Sequence, residues 1–262
     1  MLTQISKWFS ATPVPCPLCG RSSAQTSSKP PIPVRHPAAR RVLSTLCASC
    51  LVGIPWIVAP ICRVCGRAED CQDCVRRKVR YYNRSRCSVR YDSLMKDWLA
   101  LYKYRGHEKL EPVLAAMLAF AYERLNDELG SRNTYPFFHT ITSVPLAPER
   151  LQERGFNQAE RLAVQLSQWY GIRCRPLLAR LRHTEKQSLK TRQSRVNDMM
   201  GNFAATSAVD STDNLPNSVH RIILIDDVYT TGSTINECAR VLKESSAPDS
   251  PAEIYGLLWA RS

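Results

Sequence analysis

The sequence predicts an α/β fold, a parallel sheet flanked by helices, with a small cysteine-rich module in front of it. Three observations carry that expectation. Residues Ile222-Ile223-Leu224-Ile225 are continuously apolar, the pattern of a parallel strand covered on both faces. From Asp92 onward, short apolar runs alternate with stretches of helical period, the order that builds a parallel sheet. Ahead of them stand four Cys-x-x-Cys pairs at metal-ligand spacing.

Composition bounds the reading. A chain of 262 residues, 44% hydrophobic, can bury a full core and accommodates one medium domain plus a small module. The first residues lack the apolar stretch of a secretory signal. The longest apolar run, Leu51 to Ile61, is broken by Pro55 and Pro60 and is too short to span a bilayer. A cytoplasmic protein without membrane insertion is expected. The net charge of +13 is uneven: residues 1–90 hold 15 Lys or Arg against 3 Asp or Glu, and residues 91–262 hold 21 against 20. The N-terminal third is therefore the part suited to a polyanion.

Within residues 1–75 the pairs are Cys16/Cys19, Cys47/Cys50, Cys62/Cys65 and Cys71/Cys74, enough for two tetrahedral zinc sites of four cysteines each. Gly20 and Gly66 follow two of the pairs, where a tight turn aims backbone N–H groups at the sulfurs. Sequential pairing, 16/19 with 47/50 and 62/65 with 71/74, is preferred, and a crossed arrangement stays open. A disulfide framework is the competing reading and needs an oxidising compartment. Cys87, Cys174 and Cys238 stand alone and read as buried thiols. Residues 21–41 are rich in Ser and Pro and read as a disordered excursion. Residues 76–90 form a basic connector, where cations interleaved with Tyr81 and Tyr82 suit either single-stranded nucleic acid or a solvated linker.

Leu94, Trp98, Leu101 and Tyr102 then mark one helical face, ending near Lys103-Tyr104-Arg105-Gly106. Pro112 to Leu129 is a second helix, Thr140 to Leu146 a strand, and Phe156 to Tyr170 a third helix. Strands are expected over Arg221 to Asp226 and Ile254 to Ala260, with a helix over residues 233–244 between them.

The chemistry concentrates in residues 226–234. Asp226 and Asp227 leave the carboxyl end of the apolar strand, and Thr230-Thr231-Gly232-Ser233-Thr234 open the next helix. Ligands of open α/β sheets lie outside the carboxyl ends of strands. Backbone N–H groups and hydroxyls at a helix N-terminus can wrap one phosphate, and Gly232 permits close approach. Paired carboxylates beside such a cradle suit a ribose diol with a nearby magnesium ion, so the implied ligand is a sugar phosphate. Neither a Walker A loop nor a Gly-x-Gly-x-x-Gly fingerprint is present.

This segment resembles the 5-phosphoribosyl 1-diphosphate (PRPP) loop of type I phosphoribosyltransferases, which joins four aliphatics, two acids, small residues and Thr-Gly-x-Thr. Two further segments extend the likeness. One is Val144 to Arg150 followed by Arg154-Gly155-Phe156-Asn157-Gln158; the other is Arg180 to Gln187 followed by Arg192, Arg195, Asn197 and Phe203. With the cysteine pairs, nearly the whole chain resembles the ComF family, zinc-ribbon and phosphoribosyltransferase-domain proteins associated with natural competence for DNA uptake.

The resemblance implies a type I phosphoribosyltransferase-like sheet over residues 91–262 behind a four-cysteine zinc-ribbon module, with two structural zinc ions and Mg2+ with PRPP. Asp226 and Asp227 would hold the ribose hydroxyls and act in catalysis, Thr230, Thr231, Gly232, Ser233 and Thr234 the 5-phosphate, and Arg150 the pyrophosphate. Arg154 to Gln158 and Arg180 to Gln187 would form a mobile hood. The implied role is the handling of incoming single-stranded DNA in transformation, with a DNA-uptake helicase or recombination proteins as partners. The alternative is a true magnesium-dependent phosphoribosyltransferase of nucleotide metabolism with an unidentified acceptor. Thr230 stands where hypoxanthine-type enzymes carry an aspartate, which counts against that acceptor class.

Overall fold

The computed structural model describes residues 15–21, 30–104, 107–130, 137–181, 200–206 and 219–262. Pro37 opens α1 (Pro37–Ser44) at a position where no backbone donor is needed. The start of α1 is held by α5 (Glu111–Glu128): Glu123 accepts the backbone N–H groups of Arg35 and His36 at 2.8 Å each, and Arg35 clamps Asp127 with bonds of 2.6 and 2.9 Å. Residues 37–41, expected within the disordered excursion, are thus helical because the helix they begin has a partner. Residues 22–29 of that excursion lie outside the described residues.

A second correction concerns the connector. Its last residues form β1 (Arg84–Arg90), buried except at its ends and paired in parallel with β7 (Ala252–Arg261). The arginines mask the strand in the sequence. Arg86 is only 4% exposed because Glu128, at the end of α5, accepts from its Nε at 2.8 Å and pairs with its Nη2. Arg84 bonds the same carboxylate at 3.2 Å. A buried cation is tolerated where a carboxylate answers it.

With β6 (His220–Tyr229), β2 (Thr140–Ser143) and β3 (Arg173–Cys174), these strands make a five-stranded sheet of order β1-β7-β6-β2-β3 in which every neighbouring pair is parallel. Residues 222–225 are fully buried, as their apolar run predicts. Ile223 and Ile225 share a cluster with Leu118 of α5 and Leu162 of α7 (Gln158–Tyr170), whereas Ile222 and Leu224 meet Ile235, Cys238 and Leu242 of α8 (Ser233–Glu244). Helices therefore cover both faces. β6 runs beyond the expected end at Asp226 to Tyr229, in register with Arg261, so the two acids lie inside the strand rather than past it.

The cysteine module wraps the β1 edge of this sheet. Backbone bonds join Ile57 to Ser88 at 2.9 Å, Arg90 to Pro55 at 3.0 Å and Ser85 to Val64 at 2.7 Å, closing an otherwise unpaired edge. Leu43, Leu46 and Ile54 enter the α5 cluster, and Ile57, Cys65 and Cys71 the α8 cluster. The remaining elements are α2 (Ala48–Val52), α3 (Gln72–Arg76), α4 (Ser93–Tyr104), a 3-10 turn (Glu108–Leu110), α6 (Pro148–Arg154) and an antiparallel pair, β4 (Leu178–Arg180) with β5 (Phe203–Ala205). Among the described residues no helix is long and apolar enough to cross a membrane.

Candidate functional site

The parallel sheet brings the ends of β6, β2, β1 and β7 to one edge, and the loop 230–232 joins β6 to α8 there. Gly232 is the N-cap of α8 at φ 76, a conformation that favours glycine. A Cβ on it would collide with Tyr229 Oη, so the tyrosine packs directly beneath the turn. Thr231 Oγ1 and Ser233 Oγ stand 2.9 Å apart, and the Ser233 N–H points to Thr231 Oγ1 at 3.4 Å. The turn is thus short, hydroxyl-rich and set at a helix N-terminus, the local features of an anion cradle.

Strand alternation sends the two acids to opposite faces, Asp226 with the Leu224 side and Asp227 with the Ile225 side. Burial, and then the neighbouring Asp227 charge, push the Asp226 carboxyl up to about 7; Lys103 and Arg180 oppose them. Asp227 goes the other way. Burial would raise it, but Lys103, whose ammonium pairs with its Oδ2, and Arg154 hold it below the ordinary carboxylate value. The two carboxyls are thus pushed apart, Asp226 upward and Asp227 downward.

Two arginine charges act on the acids, Arg180 on Asp226 and Arg154 on Asp227. Arg154 Nη2 bonds Tyr104 Oη at 2.9 Å, its guanidinium lies over that ring at 5.1 Å, and Nη1 reaches Gln158 at 3.0 Å. Arg180 sits over Phe203 at 5.4 Å; burial lowers its pKa, and the Asp226 charge resists that drop. Arg150 bonds Glu153 one turn along α6 at 2.5 Å, and its charge also acts on Arg180.

The segment expected as part of a mobile hood, Arg154 to Gln158, forms the corner between α6 and α7. Gly155 ends α6 at φ 77, and Asn157 caps α7 through the Ala159 N–H at 3.1 Å while donating to the Val144 carbonyl at 3.1 Å. Residues 182–187 of the other hood segment lie outside the described residues. Lys103, Tyr104, Arg77 and Arg261 also contact this edge, and the sequence assigns none of them to it. Lys103 leaves a signal, a cation at the end of an amphipathic helix, but only the fold brings that helix end to Asp227.

The eight paired cysteines form two groups, Cys16/Cys19/Cys47/Cys50 and Cys62/Cys65/Cys71/Cys74, each with sulfurs within 4.8 Å of one another. This is the sequential pairing. Cys19 and Cys47 sulfurs are 3.7 Å apart and those of Cys65 and Cys71 3.5 Å, near the roughly 3.8 Å edge of a tetrahedron with metal–sulfur bonds of about 2.3 Å. A disulfide needs about 2.05 Å. Burial raises the Cys16 thiol, but the N–H groups of Cys47, Cys19 and Leu18 bring it down to about 7. The Cys74 hydrogen bond, against burial and with help from Arg261, takes Cys65 to about 4. Each cluster fits a metal ion that binds thiolates.

No family model matches the chain. Competence protein ComFC of Bacillus subtilis (strain 168) is 32% identical over 212 residues, spanning 76% of this chain and 78% of that protein. The chain belongs to the ComF family. Competence protein ComFC of Streptococcus pneumoniae (strain ATCC BAA-255 / R6) is similar to this ComF-family chain at 32% identity over 79% of the chain and 84% of its own length. DNA utilization protein YhgH of Escherichia coli (strain K12) is 33% identical over 41% of the chain and 44% of its own length.

Proposed function

We propose that this ComF-family chain is a PRPP-binding protein of natural competence that handles incoming single-stranded DNA. The observation that carries the ligand is the pair Asp226–Asp227 followed by a three-residue turn, with Gly232 pressed onto Tyr229, into the N-terminus of α8. Thr230 to Thr234 would receive the 5-phosphate, Asp226 and Asp227 the ribose hydroxyls, and Arg150 with Arg180 the pyrophosphate. Magnesium bound with the ligand would neutralise the pyrophosphate charge. The two cysteine clusters are assigned structural zinc, which thiolate donors in tetrahedral arrangement favour.

The names of the relatives, competence and DNA utilization proteins, support the DNA role. So does the basic N-terminal third. In the connector Arg77, Arg84 and Arg86 serve internal bonds and Arg80 gives its Nε to the Tyr82 carbonyl at 3.1 Å, which leaves the exposed Arg76, Lys78 and Arg90, with the outer end of the exposed Arg80, as the cations for phosphates.

A calorimetric titration with PRPP and magnesium, run beside Asp226→Asn/Asp227→Asn, tests the ligand. Binding that the variant loses is the expected result, and no binding to the wild type overturns the reading. Single-stranded DNA binding should weaken steeply as salt rises and fall when Arg76, Lys78 and Arg80 become alanine; unchanged affinity would remove the interface from this module.

A second reading, phosphoribosyl transfer to an acceptor, is supported by the Asp226 carboxyl, which burial raises while the Lys103 and Arg180 charges act on it. Magnesium-dependent pyrophosphate release in a screen of bases and nucleotides checks it. No release with any acceptor leaves binding as the function.

A further inference from the structure

The second cysteine cluster does more than staple the module. Arg261, 4% exposed, donates from Nη1 to the carbonyls of Tyr229 at 3.0 Å and Thr230 at 2.8 Å, and its guanidinium covers the Tyr229 ring at 4.5 Å. Its other end belongs to the cluster, with Nη2 3.7 Å from Cys71 Sγ and 3.6 Å from Asp73 Oδ2. Arg77 donates to the next carbonyl, that of Thr231, at 2.6 Å. Asp73 lies within α3, Arg77 directly follows it, and that helix is gripped at Cys71 and Cys74 by the same cluster.

Three successive carbonyls are therefore bonded outward. In a planar trans peptide the N–H points opposite to the C=O, so the N–H groups of Thr230, Thr231 and Gly232 turn away from Arg261 and Arg77. Segment 79–82 braces the same turn. Tyr82 Oη meets Tyr229 Oη at 2.7 Å, and the Tyr81 N–H reaches Asn236 Oδ1 at 3.0 Å. The first cluster lies against the opposite face of the sheet, with Cys16 in the α5 cluster of side chains.

We propose that Arg77 and Arg261 are positioning residues through which the second cysteine cluster sets the amides of the phosphate cradle. This rests on the reading of loop 230–234 as the 5-phosphate site. With its cluster intact the loop is held ready for an anion; with the cluster lost, the Thr230 and Thr231 carbonyls lose their held donors, the Tyr229 carbonyl keeps the Ser262 N–H at 3.0 Å, and the amides lose their common direction.

The test uses ribose 5-phosphate and magnesium pyrophosphate as separate probes, with amide hydrogen exchange of residues 230–232 as a readout independent of any ligand. Arg77→Ala should weaken ribose 5-phosphate about tenfold, the worth of one charge-assisted hydrogen bond. It should leave pyrophosphate affinity unchanged and speed exchange at 230–232, and Arg77→Lys should restore part of each. Arg261→Lys and Cys74→Ser should do the same more strongly, whereas Cys19→Ser, in the first cluster, should leave exchange at 230–232 as in the wild type. Equal loss of both probes, or unchanged exchange in Arg77→Ala and Cys74→Ser, overturns the proposal. If the wild type binds no ribose 5-phosphate, the phosphate reading fails by itself, and the exchange data still decide whether the cluster sets the loop.

Discussion

Lys103, in the last turn of α4, sets its ammonium on Asp227 Oδ2, with the two side chains only 15% and 21% exposed. A helix end and a strand end from distant parts of the sequence thus meet at a single ion pair. Its partner acid is held ionised while the adjacent Asp226 carries a carboxyl titrating near 7. Any cation or ligand hydroxyl arriving at Asp227 must displace or join this lysine.

Lys103→Met should destabilise the protein by about 2 kcal/mol at pH 8, since the largely buried Asp227 carboxylate loses its ion-pair partner and keeps only the Arg154 charge. Asp227 titrates lower in the folded protein than in the unfolded chain. The pair's contribution is therefore full above the ordinary carboxylate value of 3.8 and is lost as pH falls below it. Urea unfolding at pH 8 and at pH 3 should show the difference at the first pH and little at the second.

Asp226→Asn should act in the opposite sense. Burial raises this carboxyl, so wild-type stability declines as pH climbs from about 3.8 to about 7, and an asparagine escapes that decline while still accepting the Asp227 N–H bond of 2.8 Å. A shift of this size corresponds to at most about 4 kcal/mol, and partial solvent contact brings the expected gain to about 2 kcal/mol. A melting temperature higher by about 5 °C at pH 8, closing by pH 4, is the outcome to look for. Equal melting curves at both would count against the raised carboxyl.

Two acid variants should separate a buried ion pair from an exposed one. Glu128→Gln strands Arg86, which is 4% exposed, and should cost about 3 kcal/mol. Glu153→Gln, whose acid side chain is 49% exposed beside Arg150, should change stability by less than about 0.5 kcal/mol. Denaturant midpoints measured side by side give the comparison.

Metal content should be two ions per chain, released by a thiol-modifying reagent and read with a chromogenic chelator. The four-sulfur grouping sets the number. One ion per chain would mean that a cluster is used otherwise. Removal should also loosen β1, because the second cluster's Cys65 carbonyl and Val64 carbonyl bond Cys87 Sγ and the Ser85 N–H.

The parts of the fold that are legible in sequence are those where local pattern and environment agree. Residues 222–225 read as a doubly covered strand because aliphatics are needed on both faces, and α8 and α5 read as helices from their apolar residues. β1 is not legible. Arg-Ser-Arg-Cys-Ser-Val-Arg looks like a solvated linker until Glu128 and the module's backbone groups are placed around it. At Gly155 and Asn157 the caps themselves are local, to Leu151 and Ala159, and what the sequence does not show is the bond from Asn157 to the Val144 carbonyl thirteen residues earlier.

The sequence by itself determined the α/β class, the eight candidate metal ligands, and the run from Asp226 to Thr234, because each is a short pattern whose chemistry is local. Only the tertiary structure decided that Asp226 and Asp227 lie on opposite faces of a strand, that Lys103 answers one of them, and that Arg77 and Arg261 tie a cysteine cluster to the loop beside them. Those relations join residues up to 190 positions apart, as Cys71 and Arg261 are, and a parallel sheet alone brings such distant segments to one edge.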